Sequence, residues 1–250
     1  MEKIHLIMPM GGGGTRFGNK GFNVPKPLIV LRDKPFFYWA AECVLQNVDV
    51  KDITFVVLRE HVEKFSIDKE IKKYYPDAKI HVIPEVLKGA VLTCLEGLKE
   101  IDDDSPLLFE DCDHAFLSSG FFEYANAGNF ASPDAALLTF ESDNPAYSYV
   151  RFDENKHVIG TVEKEVVSNE AICGAYYFKT KDIFSNAVEE YLKNCAYNEF
   201  FISGVYNELV KAGKNVSTFA LDTHISFGTP DEYDESVNDS RLGELIRCRQ

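Results

Sequence analysis

A run of four glycines is the first feature of this sequence that could bind a ligand. Residues Gly11–Gly14 follow an apolar segment of strand length and precede Arg16. Because glycine has no side chain, the backbone amides of such a loop can approach an anion closely. The loop matches neither the P-loop pattern, since Asn19 stands in place of its lysine, nor the G-x-G-x-x-G dinucleotide pattern. We expect an anion-binding loop that carries its own arginine, with a flexible glycine turn as the alternative.

A second basic residue, Lys26, lies between Pro25 and Pro27, ten residues beyond Arg16. Each proline fixes its own φ angle, so the backbone on either side of the lysine is held rigidly. A solvated turn lysine is the alternative, but such a residue rarely needs a rigid frame. Since the chain as a whole is acidic, any anionic ligand must meet positive charge that is concentrated locally. Arg16 and Lys26 are the candidates for that charge.

The elements that must position these two cations alternate between strand-like and helical segments. Strands are predicted at Ile4–Met8, Ile53–Leu58, Lys79–Ile83, Leu107–Phe109 and Ala135–Phe140. Apolar residues at helical spacing lie between some of them, at Phe36, Ala40, Cys43 and Val44, and at Val91, Leu92, Leu95 and Leu98. This alternation predicts right-handed parallel crossovers and a doubly wound sheet from residue 1 to about residue 140.

The pattern changes in the second part of the chain. A hairpin is predicted from Tyr147–Phe152 and Val158–Glu163, followed by a strand at Ile172–Phe178 and amphipathic helices near 183–192 and 202–210. The predicted fold class is therefore α/β, with a Rossmann-like, mixed and mainly parallel sheet flanked by helices. We expect a single domain over residues 1–250, with ligands beyond the carboxyl ends of the strands.

The composition argues against several classes of partner. With 26 basic and 40 acidic residues, the formal net charge is −14, which repels nucleic-acid backbones and anionic lipid surfaces. The apolar runs are far shorter than the roughly 20 residues that span a bilayer, and the first ten residues lack the features of a secretory signal. The six cysteines, which include Cys248, form no C-x-x-C pair. We predict a cytoplasmic protein with buried reduced thiols and neither a nucleic-acid nor a membrane partner.

The glycine loop and the lysine segment together resemble a known signature. Gly11–Phe17 followed by Pro25–Leu28 is similar to the signature of the nucleotidylyltransferases, also called sugar-phosphate pyrophosphorylases. Later segments that resemble the same family lie at 107–114, 148–154, 162–164, 174–178 and 228–233. The chain resembles in particular a compact subgroup that is encoded with bacterial capsule biosynthesis. The resemblance implies transfer of a nucleotidyl group from a nucleoside triphosphate to a phosphorylated small molecule, with release of pyrophosphate. It also implies a nucleotide-binding half at 1–140 and an acceptor-binding half at 141–250.

The resemblance further implies roles for individual residues. Arg16 would contact the leaving pyrophosphate, Lys26 the phosphate oxygens near the reacting centre, and Lys164 the acceptor phosphate. Asp113 would bind Mg²⁺, the implied cofactor, with Asp111 as a further candidate ligand. The residues implied to bind the nucleotide are Met10, Gly11, Gly12, Gly13, Gly14, Thr15, Glu85 and Gly89. Those implied to bind the acceptor are Glu163, Lys164, Tyr149 and Gly174.

The metal shell and the base remain open at this level. Many family members carry a second metal-binding aspartate two residues before a Gly-Thr-Pro segment, and this chain has Ser226 there. Either phosphates and water complete the shell around Asp113, or Asp111 or Asp222 contributes. A glutamate such as Glu85 only accepts hydrogen bonds, which favours a base with an exocyclic amine and hence CTP over a base with a carbonyl. Guanine, which also has such an amine, is not excluded.

The acceptor and the reaction class also have alternatives. The capsule subgroup favours L-glutamine phosphate of capsular phosphoramidate synthesis as acceptor, although a sugar 1-phosphate or a polyol phosphate would use the same groups. Asp111-Cys112-Asp113 fits the D-x-D motif of nucleotide-sugar glycosyltransferases, which have no use for a loop that cradles pyrophosphate. Ser226 makes a non-catalytic nucleotide-binding module a third hypothesis. The sequence allows a homo-oligomer but does not determine the oligomeric state.

Overall fold

A nine-stranded mixed sheet forms the centre of the protein, as seen in a computed structural model that describes residues 2–245. The strands are β1 (His5–Met10), β2 (Val30–Leu31), β3 (Lys34–Pro35), β4 (Asp52–Leu58), β5 (Lys79–Ile83), β6 (Leu107–Glu110), β7 (His114–Leu117), β8 (Ala135–Glu141), β9 (Ser148–Phe152), β10 (Val158–Glu163), β11 (Glu170–Phe178), β12 (Val216–Ala220) and β13 (Thr223–Ser226). The main path of the sheet is β10-β9-β11-β6-β1-β4-β5, with β8 beside β11 and β12 beside β8. Within the same residues, β7 pairs with β13 and β2 with β3 in separate small sheets.

The parallel part of the main sheet consists of β5, β4, β1 and β6. β1 lies between β4 and β6, with Met8 opposite Phe55 and Ile7 opposite Phe109. β1, β4 and β6 are buried over most of their length, as expected for parallel strands that are covered on both faces, whereas the edge strand β5 is mostly half-buried. β11 then pairs antiparallel with β6 and connects this part to the hairpin β9-β10. The predicted α/β fold with a mixed sheet flanked by helices is confirmed.

One antiparallel strand, β11, lies between β8 and the other strands of the parallel part. β8 covers the predicted strand at 135–140, but it pairs antiparallel with β11 and parallel with β12. Because β6 and β8 both pair antiparallel with β11, β8 runs in the same direction as β6, as the predicted parallel crossovers up to residue 140 require. An apolar strand is buried equally well by either kind of neighbour, so its sequence does not reveal the direction of its partners. The sequence did not predict the short strands β2, β3, β7, β12 and β13.

Helices cover both faces of the sheet. They are α1 (Thr15–Gly18), α2 (Phe36–Leu45), α3 (Arg59–Phe65), α4 (Ile67–Tyr74), α5 (Ala90–Gly97), α6 (Ser119–Ala127), α7 (Lys181–Asn194), α8 (Ile202–Lys211), α9 (Pro230–Val237) and α10 (Arg241–Leu245). Side chains alternate along a strand, so Leu6 and Met8 of β1 join a core with α2 and α6. Ile7 joins a second core with α5, α7 and α8. The two cores hold the carboxyl ends of β1 and β6 side by side.

Two further expectations concern membrane-spanning helices and the state of the cysteines. None of the helices in residues 2–245 combines the length and the apolarity that a membrane crossing requires. Cys43, Cys94, Cys112 and Cys173 are free and buried, whereas Cys195 is free and half-buried. Cys248 lies outside the described residues.

Candidate active site

The glycine loop begins where β1 ends and leads into α1. Gly14 adopts a left-handed conformation, with φ of 60°, directly before α1. A methyl group on Gly11 would stand 2.6 Å from Ile83 Cδ1 and 3.1 Å from Thr93 Cγ2, so this glycine lets the loop pack against the end of β5 and against α5. Gly12 is exposed and has open space where a side chain would be. The inner part of the loop is thus fixed by packing while its tip is accessible to a ligand.

Lys26 and Asp113 form the electrostatic centre of the cleft. Lys26 begins a single 3-10 turn, Lys26–Leu28, and its ammonium group forms an ion pair with Asp113 Oδ2. Burial lowers the pKa of Lys26, but the Asp113 carboxylate outweighs that effect and holds the pKa above its ordinary value. Burial likewise disfavours the ionised form of Asp113, yet Lys26 and His114 outweigh it and keep the pKa of Asp113 below its usual range. Both groups are therefore charged.

Asp111 lies beside Asp113 and is anchored to β11. Its amide donates a hydrogen bond of 3.0 Å to the carbonyl of Gly174. A methyl group on Gly174 would stand 2.9 Å from both Asp111 Oδ2 and His114 Nε2, and the φ of +100° there also favours glycine. Burial, together with the nearby Asp113 carboxylate, raises the pKa of Asp111 to about 7. Asp111 is consequently not fully ionised near neutral pH, unlike Asp113.

Two cavities adjoin Asp113. The loop cavity has a volume of about 300 Å³ and is lined by residues that include Met10, Gly12, Gly14, Thr15, Arg16, Lys26, Asp111 and Asp113. The hairpin cavity, of about 580 Å³, lies beside the hairpin β9-β10 and is lined by residues that include Tyr147, Glu163, Lys164, Gly174, Ser226 and Glu232. Thr15, Arg16, Asp111, Asp113 and Gly228 line both cavities. The two cavities are therefore one continuous cleft, and Arg16, Lys26 and Asp113 share it.

The hairpin cavity combines a fixed carboxylate with an available cation. Glu163 Oε1 accepts hydrogen bonds from Ser148 Oγ at 2.7 Å and from Ser203 Oγ. Lys164 has a left-handed backbone conformation, with φ of 56°, and its Nζ lies 5.5 Å from the centre of the Phe201 ring. Among the ion pairs found within residues 2–245, none involves Lys164. Its ammonium group is thus available to an anion in the cavity.

The donor set around Asp113 fits Mg²⁺ only when a ligand completes it. In the described part of the chain, no group of three His, Cys, Asp or Glu residues could hold a metal ion alone. Mg²⁺ is usually bound by one or two carboxylates together with substrate phosphates and water, so Asp113 beside the glycine loop suits it. Asp222 accepts a 2.6 Å hydrogen bond from the amide of Ser119 and lies at the opposite end of β13 from Ser226. The structure therefore places Asp111, and not Asp222, next to Asp113.

Some of the predicted site residues lie outside the cleft. Tyr149 is fully buried and donates a hydrogen bond of 2.8 Å to the carbonyl of Asn144, whereas Tyr147 is the tyrosine on the cavity wall. Glu85 is exposed on the connection between β5 and α5. A methyl group on Gly89 would stand 2.6 Å from the carbonyl oxygen of Phe200, so this glycine permits close backbone packing. Gly11 is likewise a packing position, and Gly13 lines a surface depression that adjoins the loop cavity through Gly14, Thr15 and Lys26.

Three residues of the cleft received no role from the sequence. Tyr147, Gly228 and Glu232 meet there, because the Tyr147 hydroxyl donates a hydrogen bond of 2.8 Å to Glu232 Oε1 and Gly228 adjoins Asp113. The segment 228–233 resembles the family, but a resemblance alone does not show which of its side chains points inward. The signal that the sequence offered for Glu232 is its place three residues after Thr229 at the start of α9. There the Glu232 amide donates a hydrogen bond to Thr229 Oγ1.

Comparisons with known proteins agree with this geometry. The family model described as nucleotidyl transferase matches residues 5–239. The chain is 26% identical over 238 residues to a D-glycero-α-D-manno-heptose 1-phosphate guanylyltransferase of Campylobacter jejuni. The aligned region covers 92% of this chain and 97% of that protein. It is 28% identical over 123 residues to a 2-C-methyl-D-erythritol 4-phosphate cytidylyltransferase of Clostridium perfringens. That alignment covers 49% of this chain and 52% of that protein.

Solved structures share the fold. A nucleoside-diphosphate-sugar pyrophosphorylase from Vibrio cholerae matches with a TM-score of 0.80 at 21% identity, over 94% of this chain and all (100%) of that chain. An inositol-1-phosphate CTP transferase from T. maritima matches with a TM-score of 0.78 at 16% identity, over 99% of each chain.

Proposed function

The chain belongs to the nucleotidyl transferase family, and within that family we propose that it transfers CMP from CTP to a phosphorylated small molecule with release of pyrophosphate. The observation that carries this proposal is the continuous cleft. The glycine loop and Lys26 line one end of the cleft, Lys164 lines the other, and Arg16 and Asp113 line both cavities. Two anion subsites therefore adjoin one charged centre.

The reaction needs no nucleophile from the protein. A phosphate oxygen of the acceptor attacks the α-phosphorus of the nucleotide, and a new P–O bond forms. The bond between the α-phosphorus and the oxygen that bridges to the β-phosphorus breaks, and pyrophosphate leaves with that electron pair. Because both reactants are anions, the barrier arises from repulsion and alignment, which fixed cations reduce.

Four charged residues of the cleft have a place in this reaction. Lys26 neutralises charge on the phosphoryl group that is transferred, and Arg16 binds the pyrophosphate that departs. Lys164 binds the acceptor phosphate at the far end of the cleft. Asp113 is the residue that would hold Mg²⁺, which when bound supplies charge neutralisation across the triphosphate. The protein thus acts by positioning and by electrostatics.

The choice of CTP as donor rests on the segment between β5 and α5. Glu85 is exposed there, outside the residues that line the cleft, and only accepts hydrogen bonds, which suits the exocyclic amine that cytosine shares with guanine. The named relatives include both a guanylyltransferase and a cytidylyltransferase, so GTP is the competing donor. The specificity constants for CTP and GTP decide between them, and Glu85→Gln should reduce the preference if Glu85 accepts from the base.

The acceptor that we propose is L-glutamine phosphate, used in capsule biosynthesis. The hairpin cavity supports it through the charges of its lining, because Lys164 can bind the phosphate while Glu163 and Glu199 can receive an ammonium group. A sugar 1-phosphate is the alternative, since the same carboxylates also accept hydrogen bonds from hydroxyl groups. We further propose one domain over 1–250, with the nucleotide bound by 1–140 and the acceptor by 141–250, and a cytoplasmic location.

Measurement of pyrophosphate release tests this proposal. CTP and GTP are each mixed with Mg²⁺ and with L-glutamine phosphate, a hexose 1-phosphate or a polyol phosphate. The proposal expects pyrophosphate with CTP and L-glutamine phosphate, in an amount equal to the new diphosphate product. Transfer of sugar from a nucleotide sugar without pyrophosphate would instead identify a D-x-D glycosyltransferase. Nucleotide binding without turnover on any acceptor would identify a non-catalytic module.

A further inference from the structure

Ser226 stands where many family members carry a second metal-binding aspartate, so the expected metal site lacks one carboxylate. Ser226 ends β13 and lies opposite His114 of β7. Its side chain interacts with the hydroxyl of Tyr147, and that hydroxyl donates a hydrogen bond of 2.8 Å to Glu232 Oε1. A tyrosine thus spans the distance between the serine and a carboxylate on the following helix, α9. The hydrogen bond holds Glu232 in a defined orientation toward the cleft.

Gly228 shows that Glu232 and Asp113 border the same small space. A methyl group on Gly228 would overlap Asp113 Oδ2 and would stand 3.5 Å from Glu232 Oε2. Gly228 itself is buried and lines both cavities. The missing side chain therefore leaves room between two carboxylate oxygens. Oxygen ligands of this kind are the ones that Mg²⁺ prefers.

The polar groups near this space also lack partners. Within residues 2–245, Tyr147 is the one hydrogen-bond donor found for the Glu232 carboxylate, and it bonds Oε1, which leaves Oε2 available. His114, whose side chain is 3% exposed, lines the hairpin cavity; its Nδ1 is buried without a hydrogen-bond partner, whereas its Nε2 lies 3.4 Å from Glu110 Oε1. A buried polar atom without a partner is costly, so such atoms indicate a ligand or water that completes the site.

We propose that Glu232 supplies the second carboxylate of the metal site, in place of the aspartate expected at position 226. This inference rests on the proposed function, because the metal is bound together with the nucleotide triphosphate. Glu232 and Asp113 would hold the ion from two elements, α9 and the turn after β6. Asp222 cannot take this role, since it lies at the opposite end of β13 and caps the start of α6 at Ser119.

Titration with Mn²⁺ in place of Mg²⁺ tests the inference without an activity assay. Electron paramagnetic resonance counts free Mn²⁺ in the presence of the protein and either CTP or GTP. Glu232→Gln should raise the Kd of Mn²⁺ in the nucleotide complex at least about tenfold. Asp231→Asn is the matched control, because it removes an adjacent, exposed carboxylate from the same helix turn and should leave the Kd unchanged.

A rescue variant makes the result specific. Ser226→Asp combined with Glu232→Gln restores a carboxylate at the expected position and should return the Kd to within about threefold of the wild-type value. Should Glu232→Gln fail to fold, Tyr147→Phe removes the hydrogen bond that orients Glu232 and should itself raise the Kd about threefold.

Three results are decisive. A wild-type Kd in Glu232→Gln overturns the inference and leaves the proposed function standing. A loss of affinity in Asp231→Asn equal to that in Glu232→Gln overturns it as well, since the effect would then be general electrostatics. If the wild-type protein binds no Mn²⁺ in the presence of CTP and none in the presence of GTP, the proposed function fails and the inference fails with it.

Discussion

Replacement of Lys26 by methionine tests the charged centre of the cleft. Methionine preserves most of the length of the side chain and removes its charge and its hydrogen-bond donors. The Lys26 and Asp113 side chains are 17% and 21% exposed, so the lysine acts in partly dehydrated surroundings. A preorganised donor in such a site typically contributes about 3 kcal/mol to the stabilisation of a transition state. We therefore expect kcat to fall between about a hundredfold and a thousandfold.

The kinetic pattern should distinguish catalysis from simple binding. If Lys26 acts mainly on charge that develops during transfer, kcat falls much more than the KM for the nucleotide rises. Pyrophosphate release at varied nucleotide concentration gives both constants. A variant that keeps the wild-type kcat and loses only affinity would contradict the role that we give to Lys26.

The same variant makes a prediction about stability. Without Lys26, the Asp113 carboxylate has lost its ion-pair partner and lies beside Asp111. Removal of one partner of a buried ion pair often costs about 3–5 kcal/mol, and about 1–3 kcal/mol is more reasonable here because the pair is partly exposed. Lys26→Met should therefore unfold at lower urea than the double variant Lys26→Met/Asp113→Asn, in the absence of ligands. Equal stability of the two proteins would refute this reasoning.

Three further predictions test other parts of the structure. Gly228→Ala should reduce kcat at least about tenfold, since the added methyl group overlaps Asp113 Oδ2, while the melting temperature changes little. Lys164→Ala should raise the KM for the acceptor at least about tenfold and leave the KM for the nucleotide unchanged, as initial rates will show. Burial opposes ionisation of Asp52, but hydrogen bonds from His5 and Lys79 outweigh it and lower its pKa. That stabilisation is present above the ordinary carboxyl pKa and is lost as the pH falls through the lowered value. Below about pH 4, the free energy of unfolding measured in urea should therefore fall more steeply with pH for the wild type than for Asp52→Asn.

Local signals in the sequence were sufficient for the loop cavity. The glycines require close approach of a backbone, the two prolines fix the position of Lys26, and the aspartates follow an apolar strand. Because β1 and β6 are adjacent parallel strands, their carboxyl ends bring Arg16 and Asp113 to one edge of the sheet. The sequence therefore predicted residues whose positions depend on only one or two neighbouring strands.

Features that depend on long-range packing could not be read from the sequence. Tyr149 and Tyr147 are both tyrosines of one hairpin, and only the register with β10 and β11 shows that Tyr149 is buried. Gly89 carries a backbone contact with Phe200, more than a hundred residues away, which no local pattern encodes. Glu232 faces the cleft because α9 follows β13, a strand too short to be predicted from apolar periodicity.

A crystal structure of the protein with CTP and Mg²⁺ tests the central claim most directly. We predict the triphosphate along the glycine loop, with Arg16 on the β- and γ-phosphates, Lys26 on the α-phosphate, and the metal ion on Asp113. The hairpin cavity should then be open on the side of the α-phosphorus that is opposite the leaving group. A triphosphate bound elsewhere, or one whose α-phosphorus faces away from Lys164, would contradict the account.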